Sequence, residues 1–97
     1  MKQVSDKQTH INRELHKQKK ELSKICVICH GFGNELMHIL PRSLFPEYIL
    51  KPQNLTIGCH ECHYKFDNDL SFRQKQTKLF NQVAAFDERA AIRYFKF

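Results

Sequence analysis

The chain has no tryptophan, only three glycines and three prolines, and no apolar run of membrane-spanning length. A helix needs about 20 apolar residues to cross a bilayer, so an integral membrane span is not expected. There is no internal repeat, low-complexity tract or Gly/Pro-rich linker. The opening segment, MKQVSDKQTHINRELHKQKK, is polar and lacks the apolar stretch of a secretory signal. That points to an intracellular, reducing compartment, the cytoplasm, where cysteines serve as metal ligands or free thiols more often than as disulfides. With 97 residues the chain is expected to form one small domain. A core of that size is thin and often needs a metal or disulfides to hold it. Four cysteines and six histidines supply the means.

Acidic residues are outnumbered, 10 against 16 lysines and arginines, which leaves a net charge of +6. A small basic domain suits a polyanion as partner, nucleic acid being the commonest. The charge alone does not separate a nucleic-acid-binding protein from any other basic protein.

All six glycines and prolines fall between Ile25 and Asp67, and so do all four cysteines. That middle zone is expected to be loop-rich, with strands at ELMHIL and NLTIG and one short helix. The flanks lack helix breakers. Residues 1–24 read as a basic helix or arm, with Ile11, Leu15 and Leu22 at helical spacing. Its charged side is either a solvated face or a surface for phosphates, with Lys17 and Lys20 as candidate contacts. Beyond Asp67 the pattern is again helical. Ser71 is a candidate N-cap for FRQKQTKLFNQVAAF, and Asp87 for ERAAIRYF. Phe72, Leu79, Val83 and Phe86 keep a stripe that is expected to face the core.

Cys26-x-x-Cys29 and Cys59-x-x-Cys62 form two matched hooks. Two such hooks supply the four sulfurs of a closed tetrahedral zinc site, which has no open position for water and is therefore structural. The distance between them exceeds that of the common zinc ribbon, so a functional module is expected to hang between the hooks. Zinc would close the loop and stabilise the small domain.

Within that module lie His38 in LMHILPRS, Asn54 in PQNLTIG and His63 in CHECHYKFD. The combined pattern CVIC…HILP…NL…CHECH resembles the HNH endonuclease family, the ββα-metal nucleases, over roughly Cys26 to Asn68. The resemblance implies a β-hairpin and helix around a divalent ion, Mg²⁺, Mn²⁺ or Ni²⁺, and a DNA substrate. It implies that His38 is the general base, that Asn54 hydrogen-bonds near the hairpin loop and orients His38 or ligates the ion, and that His63 binds the ion. These residue types suit the chemistry: histidine accepts a proton near neutral pH, and a divalent ion offsets charge on phosphate and leaving group. Asp67, four residues after His63, is either a further ligand on the same helix face or a turn residue. Compact HNH proteins resembling this chain are often encoded by phages or mobile elements.

One position departs from the family pattern. The residue before the base is usually a metal-binding Asp or His, and here it is Met37, a poor ligand for Mg²⁺. Three readings follow: His63 with Asp67 or Asn54 holds the ion, Glu35 substitutes from the same strand face, or the domain binds DNA without cutting it. Arg42 and Arg73 are candidate phosphate contacts beside Lys17 and Lys20. His60 and His30 are expected to be exposed or peripheral, and His10 and His16 to face solvent or DNA. The expected architecture is a small α+β protein: an HNH-like ββα-metal core stapled by a four-cysteine zinc site across residues 25–97, preceded by the basic helix and completed by C-terminal helices. The expected function is metal-dependent DNA cleavage. The alternative is a non-catalytic zinc-stabilised DNA-binding or assembly module derived from such a nuclease. Its size also suits a subunit acting beside another nuclease or a packaging protein.

Overall fold

A computed structural model describes residues 6–97, with side chains from Gln8 onward. The first five residues of the expected basic arm lie outside the described residues. The fold is small and α+β: α1 (Asp6–Glu21), β1 (Glu35–His38), β2 (Leu55–Gly58), α2 (His60–Asn68), α3 (Leu70–Gln74), α4 (Thr77–Ala84) and α5 (Glu88–Phe95). No helix among the described residues is long and apolar enough to cross a membrane.

The two strands pair antiparallel, with Glu35 opposite Gly58 and His38 opposite Leu55. The connection between them is the proline-marked segment, which folds into 3-10 turns at Pro46–Tyr48 and Pro52–Asn54. Each begins on proline, whose fixed φ suits the first position of a helical turn. Ahead of β1 the chain makes a tight loop around the first cysteine hook, closed by an isolated bridge between Ile25 and Phe32. This loop docks on the sheet through Val27, whose N–H donates to the Ile57 carbonyl at 2.9 Å. Gly33 lets it approach: a Cβ there would sit 2.8 Å from Ile57 Cγ2 and 2.9 Å from Cys26 N.

The core lies between the hairpin, α2 and the C-terminal helices. Met37, Ile39, Leu40, Phe45, Phe66, Leu79, Val83, Ala91 and Phe95 are buried together. Phe66 from α2 meets Phe95 from α5 edge-to-face with ring centroids 5.6 Å apart, a favoured aromatic geometry. Met37 is fully buried in this cluster. The position before His38 is thus occupied by core packing. On the flank, α1 rests on the body through buried Leu15 and through Gln18, whose amide donates to the Leu50 carbonyl at 3.0 Å. Lys17 and Lys20 on α1 are exposed.

Two expectations for the C-terminal region change. The single helix after Ser71 is two, because Gln76 leaves the helical region with ψ 65. The Gln76 side chain turns back and donates to the Phe72 carbonyl at 3.0 Å, which also accepts the Lys75 N–H at 3.2 Å. The cap of α3 is Asp69, whose carboxylate accepts from the Phe72 N–H at 3.2 Å, while Ser71 donates to that same carboxylate. Asp87 caps α5 as expected, accepting from the Ala90 N–H at 3.0 Å.

Arg73 also departs from expectation. It is buried, not presented to phosphate. Its guanidinium donates to the carbonyls of Phe66 (2.9 Å), Tyr94 (3.0 Å) and Asp67 (2.9 Å), and lies 4.0 Å from the Tyr94 ring centroid. The planar fork of donors therefore ties the end of α2 to the end of α5. Charged donors to backbone carbonyls contribute about 1.5–3 kcal/mol each when buried. Arg73→Ala is expected to lower the unfolding free energy by roughly 3 kcal/mol or more, which urea denaturation checks.

Candidate metal centres and histidine cleft

The four cysteine sulfurs form the first site. They come from the loop before β1 (Cys26 and Cys29) and from the start of α2 (Cys59 and Cys62), and lie within 4.8 Å of one another. Cys29 Sγ and Cys59 Sγ are 3.8 Å apart. Zn–S bonds of about 2.3 Å in a tetrahedron place sulfurs about 3.8 Å apart, so the cluster fits a structural ion such as zinc.

Backbone N–H groups already point at the sulfurs. Cys26 Sγ accepts from Ile28 and Cys29, and Cys59 Sγ from Cys62, each at 3.4 Å. Burial opposes charge on Cys26, but the N–H groups of Cys29, Cys59 and Ile28 outweigh it and bring the thiol down to about 6. Burial and the neighbouring sulfurs push the Cys62 thiol up. Without a cation Cys26 is thus eased toward thiolate while Cys62 is held protonated. A divalent ion removes that restriction, because coordinating thiols lose their protons outright. Just past the first hook, His30 takes the left-handed conformation with φ 64, and its N–H donates to the Cys26 carbonyl at 2.9 Å. Histidine is among the non-glycine residues that tolerate this region.

The second site is an open cleft of about 370 Å³ lined by Leu15, Leu36, His38, Pro41, Arg42, His63 and Asp67. His38 Nε2 is 3.0 Å from the Ile49 carbonyl oxygen. A carbonyl only accepts, so this bond requires the Nε2–H form and leaves the lone pair of the neutral ring on Nδ1. Burial holds the His38 pKa below its ordinary 6.5, with the Arg42 charge adding to the effect and the Ile49 carbonyl opposing it. Its neutral, proton-accepting form is therefore favoured.

Asn54 is fully buried beneath this cleft. Its Oδ1 accepts from the Leu40 N–H at 2.8 Å, and its Nδ2 donates to the Leu40 carbonyl at 3.0 Å and the Tyr48 carbonyl at 3.2 Å. The Tyr48 carbonyl is one residue before the one that holds His38. Asn54 thus ties Leu40 to the loop that holds His38, with its amide turned to main chain on both sides.

His63 belongs to two groups at once. Its Nε2 is 3.3 Å from Asp67 Oδ2, one helical turn on, and its Nδ1 is 2.9 Å from Glu35 Oε1 on β1. Asp67 raises the His63 pKa above 6.5; partial burial opposes this and Glu35 adds to it. Glu35 in turn is held below the usual carboxylate range by hydrogen bonds from His63 and His60. His60 Nδ1 is 2.8 Å from Glu35 Oε2, so His60 is exposed but partnered. Among the described residues, only the four cysteines bring three or more such ligand atoms mutually within 4.8 Å. The Glu35–His60 contact escaped the sequence reading because it joins positions 25 apart. The available signal was Glu35 on the same strand face as Met37.

Of the candidate residues, the structure gathers His38, Arg42, His63 and Asp67 around one cleft. It sets Asn54 beneath that cleft, Lys17 and Lys20 on the exposed side of α1, and Arg73 in the interior. Compared with known proteins, the chain matches no family model, no curated protein and no solved structure.

Two outcomes are expected. Purified protein carries one tightly held zinc per chain, and Cys26→Ser loses it together with thermal stability; metal analysis beside a melting curve checks this. In protein with only the cysteine site filled, ring NMR places the His63 titration above 6.5 and that of His38 below it, and Asp67→Asn brings His63 down. The linked stabilities have opposite signs. The His63 contribution is fully present below the unfolded value and is lost as pH rises through the raised folded value. The His38 contribution lowers stability as pH falls from the unfolded value through the depressed folded one.

Proposed function

We propose that this chain is a metal-dependent endonuclease that hydrolyses DNA phosphodiester bonds on an HNH-like ββα core. The observation that carries the reading is the shared cleft of His38, Arg42, His63 and Asp67, with the His38 tautomer set by the Ile49 carbonyl. A base for a water nucleophile, a cation for phosphate and a helix-borne histidine for an ion stand together.

The residues divide the work as follows. His38 Nδ1 takes the proton of the attacking water, since Nε2–H is engaged by Ile49. Asn54 keeps the 48–49 loop in place, so that the ring does not turn. Arg42 lies exposed on the cleft rim and binds the phosphate flanking the scissile bond. Lys17 and Lys20 extend the contact along α1 with sequence-independent attraction for the backbone. A divalent ion at His63, Mg²⁺, Mn²⁺ or Ni²⁺, would offset the charge on the phosphate and the departing oxygen. The substrate is DNA.

A second reading rests on Met37. Its side chain is locked in the core at the position where the family resemblance implies a metal ligand. On that reading the chain is a zinc-stabilised DNA-binding or assembly module without catalysis, acting beside another nuclease or a packaging protein.

Plasmid cleavage separates the two. With zinc-loaded protein, cutting is expected in at least one of Mg²⁺, Mn²⁺ or Ni²⁺ and not in EDTA. His38→Ala is expected to reduce the rate by about 10²–10⁴-fold with zinc content and far-UV dichroism unchanged. DNA binding with no cutting in any of the three ions would overturn the nuclease reading in favour of the module.

A further inference from the structure

On the side of α2 away from the cysteines, Glu35, His60 and His63 gather around a shallow pocket of about 220 Å³ whose rim includes Tyr64, Asp67 and Asn68. His60 and His63 are three apart on α2, so they project from neighbouring positions on one helix face. Both present Nδ1 to the same carboxylate, at 2.8 and 2.9 Å from its two oxygens. Metal–ligand bonds of about 2.1 Å at right angles place adjacent donor atoms about 3.0 Å apart. The nitrogen-to-oxygen spacings already stand close to that value. The side chain of His60 is 85% exposed, which leaves it free to turn and bring its nitrogen toward that of His63. As hydrogen-bonded pairs at such exposure, these contacts contribute little to stability.

The other ring nitrogen of His63 completes the picture. A metal-binding histidine almost always donates its second N–H to a carboxylate, which fixes its tautomer and orientation. His63 Nε2 lies 3.3 Å from Asp67 Oδ2. With Asp67 holding the Nε2–H, an ion that displaces the Nδ1 proton now shared with Glu35 would meet the Nδ1 lone pair beside that carboxylate.

We propose that Glu35, His60 and His63 form a divalent transition-metal site, in which Asp67 orients His63 without binding the ion. The inference rests on the reading that an ion sits at His63, and it names the donors: Glu35 supplies the carboxylate that Met37 does not, and His60 supplies a second imidazole. Two imidazoles and one carboxylate favour Ni²⁺, Zn²⁺ or Cu²⁺ over Mg²⁺. Asp67 is a positioning residue, and its loss weakens the site rather than abolishing it.

The test is Ni²⁺ binding to full-length protein with the cysteine site filled by zinc, followed by native mass spectrometry and calorimetric titration. One Ni²⁺ per chain is expected in addition to the zinc, with Mg²⁺ binding weaker by 100-fold or more. Glu35→Gln and His60→Ala, both at the surface, are each expected to weaken Ni²⁺ at least tenfold with zinc content retained. Asp67→Asn is expected to weaken it by about 10–100-fold and to shift the His63 ring signals. Unchanged Ni²⁺ affinity in Glu35→Gln and His60→Ala overturns the site. Cleavage in the same preparations is read separately. Unchanged Ni²⁺ affinity with cutting retained sinks the site and leaves the nuclease standing; Ni²⁺ bound and lost as expected with no cutting in the parent protein does the reverse.

Discussion

The first turn of α2 is the joint on which this small protein depends. Cys59 caps the helix with its sulfur, which accepts from the Cys62 N–H, and the His63 N–H donates to the Cys59 carbonyl at 2.9 Å. Across from it, Cys26 and Cys29 bring in a loop whose nearest sulfur contact is 30 positions away in the chain. Closing so long a loop with an ion removes conformational freedom that the thin hydrophobic core would otherwise have to outweigh alone. Both strands of the hairpin run into this joint: β2 ends at Gly58, beside Cys59, and β1 begins opposite it at Glu35. Glu35, His60 and His63 therefore stand beside the cysteine site, whereas His38 lies at the other end of β1.

Two buried polar residues do the corresponding work elsewhere. Asn54 ties Leu40 to Tyr48 and so holds both ends of the loop over His38. Arg73 joins the carbonyls at the end of α2 to that of Tyr94 in α5. No buried side-chain nitrogen or oxygen among the described residues lacks a partner. That is how a chain with little apolar mass keeps irregular backbone near a cleft: each exposed end of main chain meets a side chain fixed in one geometry.

Much of this was legible in the chain itself, where local chemistry decides. Paired CxxC hooks announce a sulfur tetrahedron because their spacing matches one knuckle each. Both strands lie where the sequence pattern set them, and Asp87 caps its helix as an aspartate before a helical run should. Legibility failed where tertiary contacts override local preference. Arg73 looks like a surface charge until Tyr94 and three carbonyls converge on it. Asp69 displaces Ser71 as a cap because its carboxylate accepts both the Phe72 N–H and the serine hydroxyl. The helix break at Gln76 involves neither glycine nor proline, and a glutamine amide stabilises it from within. Glu35 and His60 meet only because the hairpin folds against α2. The nuclease pattern, in contrast, was visible only as a resemblance in the order of residues; its chemical meaning rests on the cleft.

In α2 the sulfur ligands and the histidines alternate as Cys59-His60 and Cys62-His63. Successive residues of a helix are turned by about 100°, so a single register serves two faces: one toward the cysteine cluster, the other toward Glu35. A one-residue insertion between Cys62 and His63 would leave the sulfurs in place and swing His63 off its carboxylates by that angle. The proline-marked segment is held differently, at single points: Phe45 in the core, Tyr48 by Asn54 and Asp87, Ile49 by His38 and Leu50 by Gln18. In α2 no such point can shift alone, so the nine residues of CHECHYKFD must be inherited as a unit.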